Sequence, residues 1–423
     1  MKFLNFCFIT LFSLGTTVCA QQNSTELAPW EYGMLDIHHI NTGRGDAAFL
    51  ILPDGTTLLI DAGDMSETHA RTLSARNAKL VPNGSKSAPE WIVDYIRQFA
   101  PKDKTLQLDY ALITHYHDDH FGEMDPNRKL IKEGDYALTG ITEVGYHIPI
   151  KTLLDRGSHF PVDLKDAEIQ KKIDKNDAYG MIPTLQNYWK FISHQTKATG
   201  LQHKTFEAGL VNQIALKTQA NDFPGFNIRN IAVNGHIWTG RSNETFSLFK
   251  KGEYSGENPL STCLKISYGD FDYFTGGDIS GIDAFGGTDI ASLESNIAPI
   301  IGPVDVATLN HHGNRDSQNS FYVRSLRPRV WIQQNWSSDH PGEEVLRRIT
   351  SQKLYPGERD IFSTVLLQAN KEVIGNRLEQ YKSQNGHVVV RVERGGKAYK
   401  IFILNDTSEQ RELVSEHGPY ASE

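Results

Sequence analysis

Apolar residues along this chain fall into short strand-like runs and, more rarely, into the three-four spacing of helices. Met34 to Ile40, Ala47 to Leu52 and Thr57 to Ile60 read as three strands, the last two joined by a hairpin turn at Pro53-Asp54-Gly55. Trp91, Ile92, Tyr95 and Ile96 recur at helical spacing, which predicts a helix over Ala88 to Phe99 packed on the sheet. A strand at Leu108 to Thr114 follows. From about Thr152 to Asn227 the pattern turns polar and helix-like, with one stripe of Leu185, Tyr188, Trp189 and Ile192, and is read as an insertion whose stripe faces the core. Strands return at Ile228 to Asn234, Cys263 to Tyr268, Asp272 to Thr275, Val304 to Leu309 and Val330 to Gln334. Asp339-His340-Pro341 then introduces a helix with proline at its first position. Val388 to Val392 and Tyr399 to Leu404 form a closing hairpin, and the acidic tail beyond Asn405 is expected to be solvated.

Candidate chemistry lies where these predicted strands end. His115-Tyr116-His117-Asp118-Asp119-His120 directly follows one of them and places His-x-His-x-Asp-His in a single loop. Mixed imidazole and carboxylate donors suit Zn, Mn or Fe better than Ca or Mg. Asp278 follows another strand through Gly276-Gly277, and His311-His312 follows a third, so convergence at one sheet edge is expected.

Composition narrows the setting. At 423 residues, with 39% hydrophobic and 22% charged residues, the chain is an ordinary globular protein with enough length for a large core. Residues 1–20 carry Lys2, an apolar run and Val18-Cys19-Ala20, the make-up of a secretory signal, so a secreted or periplasmic location is expected. No later stretch is long enough to span a bilayer. Cys7 and Cys19 fall in that signal, leaving Cys263 alone as a buried small hydrophobe and excluding an internal disulfide framework. The net charge of -8 argues against non-specific adhesion to nucleic acid or anionic membrane. A polyanionic substrate stays open, because bound cations supply local positive charge.

In these motifs the chain resembles the metallo-β-lactamase superfamily, and within it the group of the periplasmic hydrolase domain of the competence protein ComEC and the teichoic acid phosphorylcholine esterase. The match runs in order through Thr42-Gly43-Arg44-Gly45-Asp46, Leu59-Ile60-Asp61-Ala62-Gly63, Thr114 to His120, Thr275 to Asp278, His311-His312-Gly313 and His340-Pro341. The resemblance implies an α/β fold, an αββα sandwich with the helical insertion, over residues 33–404, followed by the polar tail 405–423. It implies two divalent metal ions, Zn or Mn. His115 and His117 would bind one, Asp119 and His120 the second, with Asp278 bridging and His312 favoured over His311 as the remaining ligand. His311 is then left to contact substrate, and Asp61 orients a ligand. His340 is the candidate for protonating a leaving group or gripping phosphate at a helix N-terminus.

Departures from the family pattern are Arg44 for Gln, Glu123 for the second Gly of a Gly-Gly pair, and Asn314 for Ser. None of His147, His159, His194, His203 or His236 lies in a motif for a further ligand. The implied activity is hydrolysis by a metal-activated water, with a small-molecule or polymeric ester as substrate, nucleic acid and cell-envelope polymers being the phosphodiester candidates. A β-lactamase or lactonase is the alternative enzyme, a non-catalytic extracellular binding module the alternative of another class, and no obligate protein partner is expected.

Overall fold

The computed structural model describes residues 25–177, 179–211 and 213–423. The expected signal segment, residues 1–20, lies outside the described residues. No helix among them is long and apolar enough to cross a membrane.

Two nine-stranded sheets carry the fold. The first runs in the order Leu413–Ala421, Ala398–Leu404, His387–Val392, Leu35–His39, Ala48–Ile51, Thr57–Ile60, Leu108–Leu112, Ile150–Asp155, Gln202–Thr205. The second runs Thr245–Ser247, His236–Trp238, Phe226–Val233, Cys263–Tyr268, Phe271–Thr275, Val306–Thr308, Val330–Gln333, Asp360–Ser363, Tyr381–Ser383. Alternation within each strand sends side chains to two different cores. Leu50, Leu58, Val388 and Val390 meet Ile266, Tyr273, Val306 and Ile332 of the other sheet in a shared interior. Their neighbours Phe49, Ile51, Leu59 and Val389 face outward, onto Ile92 and Ile96 of the helix Ala88–Phe99 and Leu185 and Tyr188 of the helix Met181–Thr199. On the far side Phe274, Ala307 and Trp331 pack beneath Ile297, Val323 and Val345 of the helices Leu293–Ile301, Ser320–Leu326 and Glu343–Ile349. Three cores between four layers make an αββα sandwich, and a strand buried on both faces explains the continuous apolar runs.

Three expectations change. The segment 152–227 carries helices Ala167–Asp174 and Met181–Thr199, but Thr152 to Asp155 and Gln202–Thr205 are strands that extend the first sheet in parallel. Gln202–Thr205 is exposed along its length, so it has no apolar alternation to read. The tail is not free in solvent: Leu413–Ala421 pairs antiparallel with Ala398–Leu404 as an edge strand, anchored by buried Tyr420. Pro341 does not open the helix Glu343–Ile349, which begins after Gly342 as its cap.

The helix Ala88–Phe99 starts on a reciprocal cap. The Ser87 hydroxyl accepts from the Glu90 amide, and the Glu90 carboxylate accepts from the Ser87 amide at 2.9 Å. The same hydroxyl donates to Glu143 at 2.8 Å, tying this helix to Gly140–His147. Burial, then Asp64 and Glu90, push the Glu143 carboxyl up to about 7 from 4.5. A raised carboxyl favours the folded state at acidic pH, and that contribution is lost as pH rises through the window from 4.5 to about 7. Glu143→Gln, which keeps the acceptor for Ser87, should therefore unfold at higher denaturant than the parent at pH 8, by up to about 3 kcal/mol. The advantage should vanish near pH 4.5. Equal stability of the two proteins at pH 8 would contradict this.

Candidate metal centre

Parallel strands aim their C-terminal ends in one direction, and the site collects there. Thr57–Ile60 delivers Asp61, Leu108–Leu112 delivers His115 to His120, Phe271–Thr275 delivers Asp278, Val306–Thr308 delivers His311 and His312, and Val330–Gln333 leads to Trp336 and His340. Backbone bonds hold the loops in register across the sheets: Thr262 N–H donates to Thr114 O, and His311 N–H to Gly277 O, both at 3.0 Å.

Two groups form around one shared carboxylate. Asp119, His120, Asp278 and His312 bring one ligand atom each to within 4.8 Å of one another, and His115, His117 and Asp278 do the same. His115 Nε2 lies 3.1 Å from His117 Nδ1 and 3.7 Å from Asp278 Oδ2. On the other side, His120 Nε2 is 3.3 Å from Asp278 Oδ1, and His312 Nε2 is 3.1 Å from Asp119 Oδ2 and 3.5 Å from Asp278 Oδ2. His120 Nε2 is fully buried and has no hydrogen-bond partner. A buried polar atom left unpaired among carboxylates is costly unless a cation sits between them, so the donor set fits a divalent metal. Burial by itself would raise the Asp278 carboxyl, but His120, His312, His311 and His115 outweigh it and hold the group well below the ordinary range. Burial likewise lowers His115, and with it the neighbouring His120 keeps that ring neutral, the form that offers a lone pair.

One ligand imidazole is aimed by its own carboxylate. Asp61 is buried, accepts from Thr114 N–H and Oγ1–H, each at 2.7 Å, and faces His120 Nδ1 at 2.8 Å. Asp46 Oδ1 lies 3.1 Å from His312 Nδ1 without the alignment of a hydrogen bond. The Asp61 carboxylate on His120 Nδ1 fixes that ring's tautomer and turns its Nε2 toward the cluster. We therefore expect Asp61→Asn to weaken zinc binding about 10- to 100-fold while leaving the far-UV spectrum unchanged. Competition with a chromophoric chelator measures it, and unaltered affinity would remove Asp61 from this role.

His311, His312 and Asp61 all adopt left-handed backbone, with φ of 48°, 56° and 60°. Strain of this kind on non-glycine residues concentrates at functional sites. The two histidines diverge: His312 enters the cluster, whereas His311 lies 3.9 Å from Asp278, sets Nδ1 on Asp316 at 2.8 Å and faces the cleft beside Asn258. None of His147, His159, His194, His203 or His236 joins the described cluster. His203 instead pairs with Asp155 at 2.7 Å and His159 with Asp163 at 3.3 Å.

His340 differs from expectation in two ways. It is not at a helix N-terminus, since the helix begins three residues later. Its Nδ1 meets Asn335 Oδ1 at 3.2 Å, and that oxygen is fixed as an acceptor because Asn335 Nδ2 donates to the carbonyls of His340 and Val365. Nδ1 therefore carries the proton and Nε2 is an acceptor, the reverse of a proton donor. Its ring stacks on His312, centroids 5.0 Å apart.

Several contributors carry no motif signal. The Trp336 indole donates to Asp119 Oδ2 at 2.9 Å. Arg71 is paired with Asp118 and stacks on Tyr179, 4.0 Å from the ring centre. Asp46 was legible only as part of a turn. Gly45 and Gly63, by contrast, explain their motifs: a Cβ on either would lie 2.2 Å from Asp119 O, so only glycine lets these turns close on the metal loop. Arg44 pairs with Glu67 at 2.5 Å and donates to Gly43 O and Ala78 O. A cleft of about 400 Å³, walled by Arg71, His117, Tyr179, His311, Trp336 and His340 among others, opens onto the cluster.

No family model and no curated protein matches the chain. Among solved structures it is similar to zinc-bound PqqB from Methylobacterium extorquens, at 10% identity and a TM-score of 0.34, covering 81% of this chain and 86% of that one. It is also similar to a protein of unknown function from Enterococcus faecalis V583, at 9% identity and a TM-score of 0.29, covering 81% and 68%.

Proposed function

We propose that this chain is an exported metal-dependent hydrolase that cleaves phosphodiesters, in nucleic acid or a cell-envelope polymer. The observation that carries the reading is the sharing of Asp278 between two groups of buried nitrogen and oxygen donors delivered by separate strand ends. His115, His117 and Asp278 hold one divalent cation, Zn or Mn, and Asp119, His120, Asp278 and His312 hold the second. Such a pair supplies a water acidified toward neutrality and a clamp for the oxyanion formed on attack.

The remaining residues prepare the site. Asp61 holds the His120 ring in the ligating tautomer, and Trp336 keeps Asp119 from rotating away. His311, tethered by Asp316, presents its Nε2 edge to substrate, and His340 accepts a hydrogen bond or proton through Nε2. Oxygen from water adds to phosphorus, the ester P–O bond breaks, and the departing oxygen takes up a proton. The phosphodiester preference within this chemistry follows the resemblance of Thr42 to Asp46 and His340-Pro341 to the ComEC and phosphorylcholine esterase group, and export follows residues 1–20.

Elemental analysis of the purified protein together with a substrate panel tests the reading. About two transition metals per chain and metal-dependent turnover of bis(p-nitrophenyl) phosphate are expected. Turnover of nitrocefin or an acyl-homoserine lactone alone would replace it with a lactamase or lactonase. Metal-free material that remains inert after zinc or manganese is added would replace it with a binding module.

A further inference from the structure

A second cavity, of about 620 Å³, lies against the metal cleft and shares two walls with it, His117 and Tyr179. The two rings meet edge to face, 6.5 Å between centroids, and form a partition whose one side is the metal cluster. The other side is richer in apolar surface than the cleft. Val162, Ile173 and Met181 belong to the buried outer core, and Ile169, one helical turn before Ile173, and Tyr254 pack partly buried against it. Lys172, Asn176 and Asp177 stand at the rim.

The one carboxylate among the inner walls is not a free charge. Glu257 is sealed in a bidentate pair with the buried guanidinium of Arg156, at 2.5 and 2.7 Å, and also accepts from Tyr254 Oη at 2.9 Å. Burial would raise its carboxyl, and Arg156 overrides that, so it stays ionised and neutralised by its partner. The metal cleft is polar and lined by ionisable groups, whereas this chamber offers aliphatic and aromatic surface of the size that takes a small organic group.

We propose that this chamber binds an apolar substituent, alkyl or aryl, of the same molecule whose anionic ester lies on the metal cluster. The inference rests on the hydrolase reading for where the ester sits, and it narrows the substrate class from phosphodiesters in general to amphiphilic ones. Continuity through His117 and Tyr179 is the argument for that occupant: a group attached next to the scissile bond reaches the chamber by passing the partition. Tyr179, held under Arg71, is the selecting wall, since the cation fixes the ring that separates polar cleft from apolar chamber.

A series of n-alkylphosphonates from methyl to octyl, titrated calorimetrically into zinc-loaded protein, reads the chamber without any requirement for turnover. Affinity should climb roughly two- to fourfold per added methylene until the chamber fills. Ile169→Asp, at a partly buried position, should flatten the climb, and Ile169→Trp should end it at a shorter chain. The octyl-to-methyl affinity ratio within each protein is the readout, so a general loss of binding does not imitate the effect.

An affinity independent of chain length in the parent protein overturns the proposal, and so does an unchanged slope in Ile169→Asp; either result means the chamber is closed to the ligand or filled by other chain. The matching p-nitrophenyl alkyl phosphodiesters separate the two readings. If none is hydrolysed while phosphonate affinity still climbs, the chamber stands and the hydrolase assignment falls. Hydrolysis with flat binding and a flat kcat/KM series sinks the chamber alone.

Discussion

Asp278→Asn is expected to reduce bound metal from about two ions per chain to one or fewer and to lower kcat on bis(p-nitrophenyl) phosphate by on the order of 10³-fold or more. Asp278 is the single residue common to both donor groups, and its two oxygens face different neighbours, Oδ1 toward His120 and Oδ2 toward His115 and His312. Asparagine keeps the shape and one oxygen but removes the charge and the second acceptor. Four imidazoles then face one another around a neutral amide, a costly arrangement for cations nearby. Metal content by mass spectrometry and steady-state kinetics read the outcome. A variant that retains two metals and parental kcat would show that the carboxylate is not shared.

Glu257→Ala is expected to cost about 3–5 kcal/mol of unfolding free energy, because it strands a buried guanidinium. Arg156 and Glu257 are each about 1% exposed at the side chain, and they join the first sheet's strand end to the loop that precedes Cys263–Tyr268. The pair also supports the metal loop: Glu257 Oε2 accepts from Tyr116 N–H at 3.2 Å, and Arg156 lies 4.6 Å over the Tyr116 ring. Zinc affinity should fall together with stability. The double replacement Arg156→Met with Glu257→Leu, which removes both charges, should recover most of the unfolding free energy but not the Tyr116 contact. Urea titration followed by tryptophan fluorescence measures the first effect, and a single-variant loss below about 1 kcal/mol would show that the pair is not a supporting strut.

Much of the fold could be read from the chain because its strands bury both faces. The helix Ala88–Phe99 and the strands Thr57–Ile60 and Cys263–Tyr268 fall where the apolar pattern puts them, since in each the burial pattern and the local signals agree. Strands without such a pattern escaped. Gln202–Thr205 is exposed along its length, and Leu413–Ala421 alternates weakly in a polar edge. The first pairs with Ile150–Asp155, far back in the chain, and the second with the preceding strand Ala398–Leu404, and hydrogen-bond pairing leaves no trace in side-chain composition.

The sequence by itself determined the inventory: which imidazoles and carboxylates stand at strand ends, how they are spaced, and that glycines sit in the turns at Gly43, Gly45 and Gly63. Tertiary structure alone decided their pairing. Which of His311 and His312 turns toward Asp278, that Asp61 backs His120, and that a more apolar chamber adjoins the cleft are set by contacts between residues tens of positions apart or more, while the Nδ1 proton of His340 is fixed by the Asn335 amide oxygen that accepts it. The physical reason is that a local pattern fixes backbone conformation and the facing of a strand, whereas the direction of a ligand's lone pair depends on the partner packed behind it, and that partner is chosen only when the two sheets close on each other.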